Sequence, residues 1–345
     1  MGNPPSCPFP LPRAQYRPMT LSQPRPLPRL AKPPRMEPGD TVALIAPASP
    51  PLSKNIIPDA AALFRRAGFK VEVGSSARKR NGFLAGSDRE RLRDLNSALG
   101  SRTVRAIVCL RGGHGTTRIL DHVDFAALKK HPKILVGCSD ITALLCGALL
   151  DGGVCAFHGP MPQSLVRSDS PRFTFQHLID AITGGPLSSG SILNGCGQAP
   201  GAVEALRRGR ITGQLVGGNL SLLSALIGTR FFPSLKGKIL FLEEIGESPF
   251  RLDRQLTHLI SIGALDGVAG FALGQFINCE FKPDDTKGKQ TSRDVLIERL
   301  AGFKKPFVMG LPFGHGPINA TIPLGAKATL DGTRGDLIIE APSVR

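Results

Sequence analysis

A chain of 345 residues, 41% apolar with a mean hydropathy of +0.01, is long enough for two packed units, since single cores stop growing before that size. It carries no apolar stretch of the roughly 20 residues that a membrane helix needs, so no membrane span is expected. The net charge of +16 points to nucleic acid, a membrane surface or an anionic ligand, and its meaning depends on where it sits.

Residues 1–36 hold Arg13, Arg17, Arg25, Arg29, Lys32 and Arg35, no acid, and 11 of the 30 prolines. Proline fixes φ and deletes a backbone donor, so residues 1–35 are expected to be a disordered, Pro/Arg-rich extension outside the fold. No apolar run of a secretory leader follows Met1, and Met19 and Met36 offer alternative starts. A cytoplasmic protein is expected. The basic excess of the remainder suits a cleft for an anionic peptide, and basic residues interleaved with aromatics, as single-stranded nucleic-acid binding would need, are absent.

From Gly39 onward strands alternate with helices. DTVALIAPAS reads as a buried strand, NIIPDAAALFRRAGF as a helix and KVEVG as a strand; RERLRDLNSALG, VRAIVCL, TRILDHVDFAALKK, KILVGC and DITALLCGALL continue the alternation. Such a pattern predicts an α/β fold: an N-terminal domain over 36–165, its parallel sheet covered by helices on both faces and its ligands at the carboxyl ends of the strands. The Gly-, Pro- and Ser-rich texture of 166–200 reads as a linker or loop. Residues 201–345 read as a smaller mixed β/α C-terminal domain. The seven cysteines form no C-x-x-C pair and mostly sit in apolar runs, which predicts reduced, buried thiols. The histidines are scattered without metal-ligand spacing, and neither a phosphate-binding loop nor a complete dinucleotide fingerprint occurs, so neither metal nor cofactor is expected.

Four places carry residues able to do chemistry. KILVGCSDITALL places Ser139 where a strand breaks into a helix, which is the geometry of a nucleophile elbow without its second glycine; the alternative reading is a helix N-cap. RGGHG at 111–115 ends a second strand, either as an anion cradle or as a plain tight turn. Glu243 and Glu244 end the apolar strand KILFLEE, as its solvated tip or as partners for a buried base. His315 lies between glycines in LPFGHGPIN. A serine, a carboxylate and a histidine at strand ends and in loops meet the Ser–His–acid logic, which rests on geometry rather than chain order.

The runs GDTVALIAPASP, RGGHGTTRIL, GCSDITALL, FHGPM, GQLVGGNLSLLSALIGT, ILFLEEIGESPFRLDRQL and LPFGHGPINATIPLG together resemble the LD-carboxypeptidase family of serine peptidases, which includes muramoyltetrapeptide carboxypeptidases and microcin C immunity proteins. The resemblance covers residues 35–335 and implies a Rossmann-like N-terminal domain with a parallel sheet joined to a smaller mixed β/α C-terminal domain. It implies Ser139 as nucleophile, Glu243 as the orienting acid, His315 as general base, and the backbone N–H groups of Gly113 and Asp140 as the oxyanion hole. It also implies a homodimer and release of terminal D-alanine from muropeptide tetrapeptides in peptidoglycan recycling. His114 and Cys138 stand where the family commonly has Tyr, and Glu244 where it usually has Asp. Arg111 is the candidate contact for a substrate carboxylate, with a structural bridge beneath the turn as its alternative. A microcin-immunity-type hydrolase of peptidyl or aminoacyl nucleotides is the second functional reading, and a non-catalytic binding module of the same fold the third. Members of the immunity type stack an aromatic residue, often Trp, on the nucleotide; this chain has no Trp and a single Tyr, leaving Phe173 or Phe175 for that task.

Overall fold

The computed structural model describes residues 23–167, 172–197, 201–281 and 290–345. Five parallel strands form the first sheet: β1 (Thr41–Ile45), β2 (Lys70–Val73), β3 (Val104–Cys109), β4 (Ile134–Gly137) and β5 (Ala156–His158), in the order 2-1-3-4-5. Their near-continuous apolar sequences follow from burial on both faces. Along β1, Ala43 and Ile45 point into one cluster of core residues, Val42 and Leu44 into the other. Helices Asp88–Gly100 and Thr142–Leu150 cover the first face and Ile56–Arg66 the second. All nine residues of Thr142–Leu150 are buried, as an apolar-all-round helix requires.

The second sheet has eight strands: β6 (Gly190–Ser191), β7 (Glu204–Arg207), β8 (Arg210–Asn219), β9 (Ile239–Ile245), β10 (Gly270–Ile277), β11 (Phe307–Met309), β13 (Lys327–Asp331) and β14 (Asp336–Ile339), while β12 (Ile322–Leu324) leaves to pair antiparallel with β5 in the first sheet. Its centre, β8 to β11, is parallel; its margins are antiparallel. One core cluster runs without a break from Leu144 under the first sheet to Leu240 and Phe271 in the second. The sheets therefore meet across packed apolar side chains, with the carboxyl ends of β4 and β9 brought to the same cleft.

Two stretches differ from their expected description. Within 166–200, helix Arg172–Thr183 buries Leu178, Ala181 and Ile182 against the first sheet's second face, and β6 pairs with β14. Residues 168–171 and 198–200 of that stretch lie outside the described residues.

Residues 23–35 are not detached either. Arg25 and Ser234 exchange backbone bonds through the 232–234 turn (Arg25 N to Phe232 O, 3.1 Å; Ser234 N to Arg25 O, 2.7 Å). Ala31 bonds Gly153 and Cys155, and Arg35 N reaches Arg345 O at 2.9 Å. The Arg25 guanidinium also pairs with Asp151 at 2.6 Å. Proline cannot donate, but the residues between the prolines can, and they supply this docking. Residues 1–22 of the expected extension lie outside the described residues. A chain truncated to begin at Met36 is expected to melt several degrees lower than the full chain in a thermal-shift assay, at roughly 2–4 °C per kcal/mol for a large domain. An unchanged Tm would show that the docked segment carries no stability.

Candidate active site

Ser139 stands directly after β4 and Cys138, with φ +59°. A left-handed backbone at a non-glycine residue costs about 1–3 kcal/mol and clusters at functional turns. The hydroxyl does not cap the following helix: Ile141 occupies the N-cap position, where no side-chain cap bond forms. The capping alternative is therefore not what this serine does. Glycine is required opposite it, because a Cβ on Gly112 would lie 2.9 Å from Ser139 Cβ and 3.2 Å from the Asp140 nitrogen. Gly113 adopts φ +97°, and a side chain there would strike Ser49. Ser49 in turn accepts His114 N at 3.2 Å and donates its own N–H to Gly112 O at 3.1 Å. The RGGHG turn is thus tied to the end of β1 and pressed against Ser139.

Asp140 is buried and its carboxylate accepts Thr116 N at 2.9 Å and Thr116 Oγ1 at 2.7 Å. This side chain locks the Ser139 turn to the segment after RGGHG and thereby sets the direction of both turns' backbone N–H groups. Cys138, the neighbouring thiol, is buried, which pushes it well above its ordinary pKa, and Glu243 adds to the rise. A protonated, buried thiol is inert. The six cysteines among the described residues are all buried.

Glu243 is fully buried on β9, and its Oε2 lies 2.6 Å from Nδ1 of His315. Burial alone would raise the carboxyl, but the charge and hydrogen bond of His315 hold it below its ordinary value. The imidazole is the mirror case: burial pulls it down, and Glu243 more than offsets this, leaving it above 6.5. Glu244 faces elsewhere. Its oxygens accept Asn219 Nδ2 (2.7 Å) and Ser221 N (2.8 Å) at the start of helix Leu220–Ala225, and burial raises its pKa. Alternation along a strand explains the division, since adjacent side chains leave on opposite faces.

The loop bearing His315 is clamped by groups that no sequence motif announces. Asn319 accepts Gly314 N at 3.2 Å and donates to Gly314 O at 2.6 Å, and Gln275 of β10 accepts Gly316 N at 2.9 Å. Thr174, on the helix within the expected linker, accepts Asn319 N at 3.1 Å. Thr142, one turn beyond Ser139, accepts Asn219 N at 3.1 Å and so ties β8 to the Ser139 helix.

Ser139, Gly113, Arg111 and His315 line one cleft of about 420 Å³, together with Asn219, Gln163 and Glu247. Arg111 spends one guanidinium nitrogen on Pro50 O at 3.0 Å while lining that cleft; its pKa is lowered by burial and by the nearby Arg80. Phe173 and Phe175 are not among the cleft's lining residues. Their rings pack edge-on against His177 at 5.2 Å and Phe64 at 5.8 Å. Among the described residues no group of three or more His, Cys, Asp or Glu is arranged to hold a metal ion. No helix among them is long and apolar enough to cross a membrane.

Comparison with known proteins adds an independent line. The chain matches the LD-carboxypeptidase N-terminal domain over residues 42–159 and the LD-carboxypeptidase C-terminal domain over 212–330. It is 36% identical over 319 residues to the probable murein peptide carboxypeptidase of Bacillus subtilis, covering 90% of this chain and 94% of that one. To the murein tetrapeptide carboxypeptidase of Pseudomonas aeruginosa it is 32% identical, covering 85% and 94%. The solved structure of a muramoyltetrapeptide carboxypeptidase from Oxalobacter formigenes superposes with a TM-score of 0.75 at 31% identity, covering 88% of this chain and 99% of that one. MccF in complex with glutamyl sulfamoyl guanosine superposes at 0.80 with 24% identity, covering 92% and 100%, a likeness of fold. With both halves matched in order and relatives aligned over nearly their whole length, the chain belongs to the LD-carboxypeptidase family and is a hydrolase of the serine peptidase class.

Proposed function

We propose that this carboxypeptidase releases terminal D-alanine from muropeptide tetrapeptides through an acyl-enzyme on Ser139. The observation that carries the reading is that His315, paired at 2.6 Å with the buried Glu243, lines the same cleft as a serine with a left-handed backbone. His315 takes the Ser139 proton through Nε2 as Oγ attacks the amide carbonyl between the L-centre of the diamino acid and D-alanine. Glu243, on Nδ1, keeps Nε2 free to accept. The backbone N–H groups of Gly113 and Asp140 receive the oxyanion. Collapse expels the D-alanine amine with the proton from His315, and water then hydrolyses the ester, activated by the same histidine.

The charged lining of the cleft is mixed, Arg111 beside Glu244 and Glu247, and Arg111 is the place for a substrate carboxylate. Lys54, Arg78, Lys79 and Arg80 line a second cleft of about 660 Å³ together with Pro50, Pro51 and Leu52. Arg111→Ala is expected to raise KM roughly tenfold or more, the value of a charge-assisted hydrogen bond, with kcat little changed. A purely structural role for Arg111 would instead appear as a lowered Tm at unchanged KM.

The reading as a hydrolase of aminoacyl nucleotides shares the fold of MccF. Against it, His315 bears the only ring among the described residues lining the cleft, and none of those residues is a Phe, Tyr or Trp that could stack on a base. Incubating the protein with L-Ala-γ-D-Glu-meso-diaminopimelate-D-Ala and, in parallel, with an aminoacyl sulfamoyl adenylate decides between them. D-Alanine release is the expected result; turnover of the adenylate alone overturns the proposal. The homodimer implied by the family resemblance and the cytoplasmic location expected from the sequence belong to the same proposal; sedimentation of the full chain checks the first and cell fractionation the second.

A further inference from the structure

His158, from the FHGPM run, ends β5 with its side chain wholly buried, and the mechanism above makes no use of it. Both of its ring nitrogens, and Glu243 Oε1, are buried without a hydrogen-bond partner. These orphan atoms converge: His158 Nε2 lies 3.8 Å from Glu243 Oε1, on the carboxylate oxygen that His315 does not use. We infer that His158 is a positioning residue for Glu243, presenting Nε2–H to Oε1 so that the carboxylate stays aimed at His315.

The physical case has three parts. First, a buried polar atom without a partner costs about 1–3 kcal/mol, more when charged, so two such atoms facing each other are a pair awaiting closure. Hydrogen bonds form at about 2.7–3.2 Å, and a displacement of less than about 1 Å brings these atoms within that range. Second, the geometry is constrained. The ring stands edge-on to Phe241 at 5.5 Å, on the strand that carries Glu243, so His158 is held between the two sheets with its imidazole fixed. Third, the ring is neutral at physiological pH. Burial pulls its pKa down to about 4, with Glu243 opposing the fall and His315 adding to it. Neutrality matters to the chemistry. A second imidazolium would compete with His315 for the single negative charge of Glu243, whereas a neutral N–H dipole stabilises that charge without neutralising it. The other titratable groups acting on Glu243 or feeling its charge are His315, Glu244 and the thiols of Cys138 and Cys279.

The inference rests on the proposed roles of Glu243 and His315, and its test is chosen to report without turnover. In the wild-type protein, nitrogen-15 NMR of His158 is expected to show a neutral ring protonated on Nε2 throughout pH 5–8. A ring protonated on Nδ1, or a charged one, overturns the inference and requires no variant to fold. In His158→Leu, which removes the donor, the titration midpoint of His315 is expected to fall by about one unit or more, because a carboxylate no longer held in line with Nδ1 pairs less well with the imidazolium. His158→Gln, which can offer an N–H at the same reach, is expected to restore most of that midpoint. On tetrapeptide, kcat should fall about tenfold in the Leu variant and recover in the Gln variant, with KM unchanged in both. An unmoved His315 midpoint in the Leu variant, or equal impairment in Leu and Gln, assigns His158 to packing alone. If the wild-type protein leaves the tetrapeptide intact, the proposed substrate fails while the NMR arms still decide the role of His158.

Discussion

Ser139→Ala is expected to abolish D-alanine release, lowering kcat by on the order of 10⁴-fold or more while leaving the Tm within about 1 °C of wild type. The hydroxyl is the only group removed, and it makes no cap bond to the following helix that the fold would miss. Ser139→Gly should be equally inactive yet melt higher. At φ +59° glycine relieves the left-handed strain that serine bears, so about 1 kcal/mol of stability is recovered. The pair of variants separates chemistry from conformation: strain stored at a nucleophile elbow is revealed by a glycine that stabilises and inactivates together. Residual turnover of Ser139→Ala within tenfold of wild type, measured by coupled D-alanine detection, would remove Ser139 from the mechanism. A glycine variant no more stable than alanine would mean that neighbouring contacts, not the serine's own preference, determine the backbone there.

How much of this was open to reading from residues alone follows the range of each interaction. The alternation of apolar strands and helices between Gly39 and Leu150 is local, and it leads directly to the parallel sheet with Ser139 and RGGHG at strand ends. Long-range pairing is not local. Nothing in IPL at 322–324 announces that this strand leaves its neighbours in sequence to join β5, because three apolar residues fit either sheet. The helix Arg172–Thr183 is masked by the Pro- and Ser-rich residues before it and the glycines after it, though FTFQHLIDAI carries the helical spacing itself. The segment 23–35 docks mainly through backbone bonds, which leave no side-chain pattern to detect. At the site, the choice between Glu243 and Glu244 needed three dimensions: both are buried, and only the position of His315 on one face of β9 distinguishes them. Asn219, Gln275, Asn319 and Thr174 act through turns brought together by tertiary contact, so single-residue chemistry gave no signal for them.

Glu243→Gln is expected to lower kcat by roughly 10³–10⁴-fold and to move the acid limb of the pH–rate profile downward. In the proposed mechanism the general base His315 must be neutral, so activity in the wild type is expected to rise with pH through the titration of His315. Glu243 holds that titration above the ordinary 6.5, and the limb should lie there. Without the carboxylate charge, burial is the dominant influence left and pulls the imidazole below 6.5. The variant is therefore more fully deprotonated at neutral pH yet slower, because an amide nitrogen facing Nδ1 makes that atom an acceptor and leaves the proton on Nε2, where Ser139 needs a base. Stability follows the same linkage with opposite signs at its two ends. Glu243, lowered in the folded state, stabilises fully above its unfolded value of 4.5 and loses that contribution as pH falls through its folded value. His315, raised in the folded state, stabilises fully below 6.5 and loses its contribution as pH rises through its folded value. The pair thus contributes most between pH 4.5 and 6.5. Glu243→Gln should accordingly depress the Tm most near pH 5.5, with the deficit shrinking as pH rises through the folded value of wild-type His315, whose loss of a proton leaves a buried carboxylate beside a neutral ring. Melting curves at pH 5.5 and 8 check this directly. A Tm deficit that grows with pH, or a pH–rate limb that does not move, would mean that His315 draws its basicity from a group other than Glu243.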